Sequence, residues 1–137
     1  MIFQKLGHLY RVAHSVVREN LKARSPHWHT TRKLYLSLHP TCEACGSGKA
    51  LQVHHCIPFE LALSLGKPEL ELDLKNLICL CMSKYECHLN IGHAAKIGGG
   101  WHHYNPHVRE DAAVVLADHS KRAQIEIKAY NMRKPIP

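Results

Sequence analysis

The chain has 137 residues, with 18 Lys and Arg against 11 Asp and Glu, and so a formal charge of +7 before any of its 13 histidines is protonated. That length suits one domain able to bury an ordinary core, and the charge favours a polyanionic partner, nucleic acid foremost, because neutralising phosphates releases counterions. The longest apolar-rich stretch, residues 61–74, is broken by Ser64, Gly66, Lys67, Pro68 and acidic residues, which excludes a bilayer-spanning helix there.

In chain order, Leu6, Leu9, Tyr10, Ala13, Val16, Val17 and Leu21 recur at helical spacing, with Lys5, Arg11, Arg18 and Lys22 off the stripe. This predicts a basic amphipathic helix over residues 4–23. The leading residues show neither an uninterrupted apolar stretch nor a small-residue cleavage site, so a cytoplasmic protein is expected. Ser25-Pro26 offers a cap and a first-turn proline for a second helix over residues 27–37, closed by His39-Pro40. Trp28, Tyr35 and Leu38 are expected to face inward for packing, with Arg32 and Lys33 in water.

Gly46-Ser47-Gly48 reads as a turn, residues 51–57 as a strand stopped by Pro58, and residues 76–81 as a second strand. Between them, the leucines of residues 59–75 are expected to cover part of the core, with a bend near Gly66-Lys67-Pro68. Residues 88–96 read as a short helix carrying an unfavourable Gly92, ended by Gly98-Gly99-Gly100. In the loop at 101–107, His102, His103 and His107 read as solvent or phosphate-facing groups and are left out of any metal site. One final helix is predicted over residues 108–129, with Ala112, Val115, Leu116, His119 and Ala123 on one side, and residues 133–137 should fray.

Six cysteines, at 42, 45, 56, 79, 81 and 87, read as metal ligands rather than disulfides in a reducing compartment. A redox reading of Cys42-Glu43-Ala44-Cys45 lacks the strand-helix-strand context it needs. Thiolates take zinc as a structural ion, whereas the pair His54-His55 plus a later histidine suits a divalent ion that keeps open positions. Adjacent strand residues point to opposite faces, so His54 and His55 cannot both approach one ion. Cys87 and His88, at a helix start, project about 100 degrees apart and can serve different ions. On a regular helix His93 is turned about 140 degrees from His88, so joint ligation needs a break near Gly92. Cys56 reads as a small buried side chain.

Cys42-x2-Cys45, Val53-His54-His55-x2-Pro58, Asp73-x2-Asn76-Leu77 and Cys87-His88, in that order, resemble the HNH endonuclease pattern over residues 25–95. Ser25-Pro26-x-Trp28, Arg32 and His39-Pro40 ahead of it, and Gly92-His93 with Tyr104-Asn105-Pro106 after it, resemble the phage and bacterial type with a Cys-rich zinc site. The resemblance implies an α+β fold with a ββα-metal core, a two-stranded antiparallel hairpin plus helix, between N- and C-terminal helices. The single domain, 1–137, would comprise a basic helix at 1–24, a zinc-stapled core at 25–95, and a loop with the C-terminal helix at 96–137.

It further implies a metal-dependent DNA endonuclease of a bacterial or phage-infected cell, with neither a membrane nor an organic cofactor involved. His55 would be the general base, its unperturbed pKa of about 6.5 lying near working pH. Asn76 would brace the loop between strands and so orient His55. His54, at a place often filled by aspartate, and His88 would hold the catalytic divalent ion, with His93 a third ligand, a phosphate contact or a plain surface residue. Magnesium or manganese is the default ion, and nickel or zinc also suits histidine ligands. Cys42, Cys45, Cys81 and Cys87 would hold structural zinc; five residues separate the last two where the family usually closes with Cys-x2-Cys-His. Cys79 rivals Cys81, since the two share a strand face. Lys84, Lys96 and Arg32 are candidate phosphate contacts. The alternative is a zinc-organised DNA-binding module without catalysis, its histidines serving phosphate contacts or packing.

Overall fold

A computed structural model describes residues 24–137; the helix expected over 4–23 lies outside the described residues. Helix α1, Trp28–Leu38, begins where Ser25 turns the chain, its Oγ accepting the His27 N–H at 3.2 Å and its carbonyl the Trp28 N–H at 3.0 Å. Tyr35 is the fully buried residue of this helix and Trp28 is half-buried. Leu38, expected inside, is exposed instead, because the packed part of the helix ends a turn earlier.

Strands β1, Leu51–His55, and β2, Leu77–Cys81, pair antiparallel, with Val53 opposite Cys79 and His54 opposite Ile78. Side chains alternate along a strand, so the pair has two faces with different covers. Val53, Leu77 and Cys79 pack beneath α1 with Tyr35. Ile78 and Leu80 face the second cluster, with Ile91, Val108, Ala112, Val115 and three of the cysteines. The apolar run Leu77-Ile78-Cys79-Leu80-Cys81 is buried throughout because both faces of β2 are covered.

Between the strands lie α2, Phe59–Ser64, and single 3-10 turns at Pro68–Glu71 and Leu74–Asn76, with the bend at Gly66 at φ +69. Phe59 and Ala62 supply its buried contacts, while Leu65 and Leu74 are exposed. Elements this short cannot carry one continuous stripe, so the leucines cover less of the core than their number suggests.

After β2 the chain does not form a regular helix over 88–96. It makes one π-helical turn, His88–Gly92, closed by the His93 N–H on the His88 carbonyl at 3.0 Å. The single C-terminal helix is also corrected, to α3, Val108–Ala117, and α4, Arg122–Met132. Asp118 breaks it in an extended conformation, φ −150, its Oδ1 accepting the Ser120 N–H at 3.0 Å and hydroxyl at 2.6 Å. Leu116, His119 and Ala123 are consequently exposed, while Ala112 and Val115 stay buried. The tail expected to fray is paired: β3, His103–Tyr104, runs antiparallel to β4, Lys134–Pro135, and Ile136 N–H reaches the His102 carbonyl at 2.9 Å. The Arg133 guanidinium over the Tyr130 ring, at 3.7 Å, anchors the approach. The result is a mixed fold of helices and two small antiparallel strand pairs. No helix among the described residues is long and apolar enough to cross a membrane.

Candidate metal centres

Cys42 and Cys45 precede β1, Cys81 ends β2, and Cys87 opens the turn that follows. The loop of residues 82–86 returns the chain through Glu86 at φ 46, so the five-residue gap still brings Cys87 back to Cys81. The four sulfurs lie within 4.8 Å of one another, Cys45 and Cys81 Sγ being 3.5 Å apart. Cys45 N–H donates to Cys42 Sγ at 3.4 Å, and Arg122 Nη2 donates to Cys87 Sγ at 3.3 Å. The hydrogen bond from Cys87 pulls the Cys42 thiol down to about 4, while burial pushes Cys45 up to about 11 and the partnership with Cys42 pushes Cys87 up as well. Burial opposes ionisation of Cys81, but hydrogen bonds from Ser83 and Cys87 lower its thiol, so Cys42 and Cys81 ionise readily while Cys45 and Cys87 resist; a divalent cation is what would allow all four to become thiolates. The set fits a tetrahedral ion such as zinc.

Cys79 is not in this group. It belongs to the cluster under α1, its N–H donating to Glu43 Oε2 at 2.6 Å, and burial pushes its thiol up to about 12. Cys56 is half-buried, its sulfur accepting from Arg109 at 3.5 Å.

His54, on β1, meets His88 and His93, which bracket the π turn. One nitrogen from each lies within 4.8 Å of the others, and each pair of ring centroids is 5.0 Å apart. The i→i+5 closure supplies the departure from α-helical geometry that joint ligation requires, and such widened turns recur at functional sites. Gly92 explains itself here. A Cβ on it would stand 3.2 Å from His54 Cε1 and Nδ1 and from Leu80 Cδ1, so the bare backbone lets the His54 ring close on the turn.

The outward nitrogens are held. His88 Nδ1 donates to Gln52 Oε1 at 2.6 Å and His93 Nδ1 donates to the His103 carbonyl at 2.8 Å. Both partners can only accept, so each Nδ1 carries the proton and each Nε2 turns a lone pair inward. His88 Nε2 stands 3.1 Å from His54 Nδ1, and His54 Nε2 is buried without a partner among the described residues. Burial holds His54 well below the usual imidazole range, helped by His88, His93 and His55, and brings His88 down to about 3. Burial lowers His93 too, against the opposing pull of the His103 carbonyl and Glu60. Three neutral imidazoles directed at one point fit a divalent ion with positions left open. Neither Gln52 nor His103 is marked in the sequence as a supporting group, because acceptors of this kind follow no fixed spacing.

The structure does not bring His55 into this set. Its ring lies on the other face of β1, stacked on Trp28 with centroids 4.5 Å apart, and Nε2 donates to the Glu71 carbonyl at 2.9 Å. It is 7% exposed, and burial lowers its pKa, opposed by the Glu71 carbonyl, with Arg24 and Glu60 pulling in opposite directions. The Asn76 side chain accepts from Ile57 N–H at 2.8 Å and donates to the Ile57 and Leu70 carbonyls at 3.1 and 3.0 Å. It clamps the segment that follows His55 to the end of the insertion.

Of the candidate phosphate contacts, Lys84 is exposed with its ammonium over the Tyr85 ring at 5.1 Å. Lys96 pairs with Glu126 at 3.5 Å, and Arg32 is half-buried. Compared with known proteins, the chain matches no family model, no curated protein and no solved structure.

Proposed function

We propose that this chain is a metal-dependent DNA endonuclease of the HNH type, with β1, β2 and the π turn serving as its ββα-metal core. One observation carries the reading: His54, His88 and His93 each bring a ring nitrogen within 4.8 Å of the others, and the outward nitrogens of His88 and His93 are tied, a ligand set that leaves coordination positions for a substrate. A divalent ion there, magnesium or manganese by default and nickel or zinc by ligand type, supplies positive charge for a scissile phosphate. Zinc among the thiolates would fix Cys87 and with it the adjacent His88. The +7 charge favours a nucleic-acid substrate.

In this reading His55 is the general base. Its Nε2–H is committed to the Glu71 carbonyl, which leaves Nδ1 to accept a proton, and because the ring lies across β1 from the three histidines the attacking water would have to be shared between the two faces of the strand. Asn76 keeps the following backbone, and therefore the ring, in place. The second reading, a zinc-organised DNA-binding module without catalysis, is favoured by the burial of His55 between Trp28 and Glu71.

Supercoiled plasmid, run beside a single-stranded circle, separates the two. Nicked or linear product with magnesium, abolished by EDTA, supports the nuclease, and His55→Ala should then bind DNA without cutting it. DNA binding without cleavage under magnesium, manganese, nickel and zinc alike supports the binding module. A His88→Ala variant that still cuts at ordinary magnesium removes that ring from the site.

A further inference from the structure

Trp101 stands at the edge of the three histidines, its ring centroid 5.1 Å from His88 and 4.7 Å from His93, with 48% of its surface in water. Single exposed apolar side chains are ordinary, and what sets Trp101 apart is its place, with its ring against two of the three converging histidines. The backbone leading to it takes a path that only glycine follows easily. Gly98, Gly99 and Gly100 take φ +147, +96 and +56, conformations that side-chain-bearing residues rarely adopt, and a Cβ on Gly99 would come within 3.2 Å of His103 Nδ1. On the other side, His103–Tyr104 is fixed by pairing with Lys134–Pro135. The indole meets the two imidazoles at 63 and 73 degrees rather than lying flat on either, and nearly half of it remains for a ligand.

We propose that Trp101 is a stacking platform for an unpaired nucleobase beside the phosphate that the three histidines address. The preferred substrate is then single-stranded DNA, or duplex DNA with a gap, flap or frayed end. The proposal rests on the nuclease reading for the phosphate and adds the base. In an intact duplex both faces of each base are occupied by its neighbours, so an indole gains a base only where the stack is open. Stacking on a ring face is tolerant of sequence, since every base offers one.

The test uses the full chain, loaded with zinc and without a second added ion, and a short labelled oligonucleotide presented single-stranded or as a matched duplex. Fluorescence anisotropy should show Trp101→Ala weakening single-strand binding by roughly ten-fold or more, with duplex binding changed less than about two-fold and Trp101→Phe largely restored. Equal losses on both forms, or none on either, would overturn the platform. Cleavage is read separately. If no DNA is cut but the Trp101-dependent single-strand preference persists, the nuclease reading fails and the platform stands. If single strand and duplex are cut alike and Trp101→Ala changes nothing, the platform fails and the nuclease stands.

Discussion

The His93 ring faces the His88 ring, centroids 5.0 Å apart, because the turn between them closes one residue wider than an α-helix, from His93 N–H to the His88 carbonyl. That extra residue turns two imidazoles that an α-helix would splay apart into a pair, and His54 completes the group from the neighbouring strand.

Gly92→Ala probes how closely the group is packed. The new methyl would meet the His54 ring and Leu80 at 3.2 Å, forcing the ring to yield by a few tenths of an ångström. Nickel affinity at the histidines should fall roughly ten-fold while zinc at the thiolates is retained, as read by dialysis and metal analysis. Unchanged nickel binding would mean that the ring has slack.

Gln52→Ala removes the acceptor that keeps the His88 proton on Nδ1. Ion affinity should drop by roughly 10- to 100-fold, and Gln52→Glu, which restores an acceptor, should recover it. Calorimetric titration with nickel would decide, and equal affinities for all three proteins would deny Gln52 this role.

Cys81 and Cys79 should respond differently. Cys81→Ala should lose zinc and cooperative unfolding, since a thiolate ligand is gone. Cys79→Ala should keep its zinc and lose on the order of 1 kcal/mol of stability through poorer packing under α1. Zinc loss in the second variant would put Cys79 among the ligands.

Protons should compete poorly for the three-histidine site. All three rings are held below the ordinary range, His88 at about 3, so ion affinity should stay nearly flat as pH falls from neutrality to about 6. For stability the sign is equally definite. Below about 6.5 the unfolded chain takes up protons that the folded rings refuse, so their contribution is complete above that pH and is lost as pH falls toward the folded values. Nickel titrations and urea midpoints across this window check both; a steep loss of affinity already near neutrality would place the rings in solvent.

Much of this architecture is legible in the residues. Alternation from Leu51 to His55, bounded by Gly48 and Pro58, marks β1 and separates His54 from His55, and the resemblance to the HNH pattern implies the thiolate set, with Cys79 and Cys81 left to the strand's end to tell apart. The rest depends on competitions that periodicity does not register. Asp118 favours a cap over a helix interior, a signal that the apolar spacing on either side of it masks, and its bonds to Ser120 settle the break. Strands of two residues, at His103 and Lys134, leave no repeating signal. The His88 to His93 spacing looks like a misfit until the turn between them widens, and Gln52 and His103 become visible only once the rings they hold are in place.

β4 reaches back to the stretch whose carbonyl, at His103, keeps the His93 proton outward. Loss of that pairing would loosen the acceptor that sets the His93 tautomer, so residues 134–136 reach the interior chemistry through two successive hydrogen-bonded contacts.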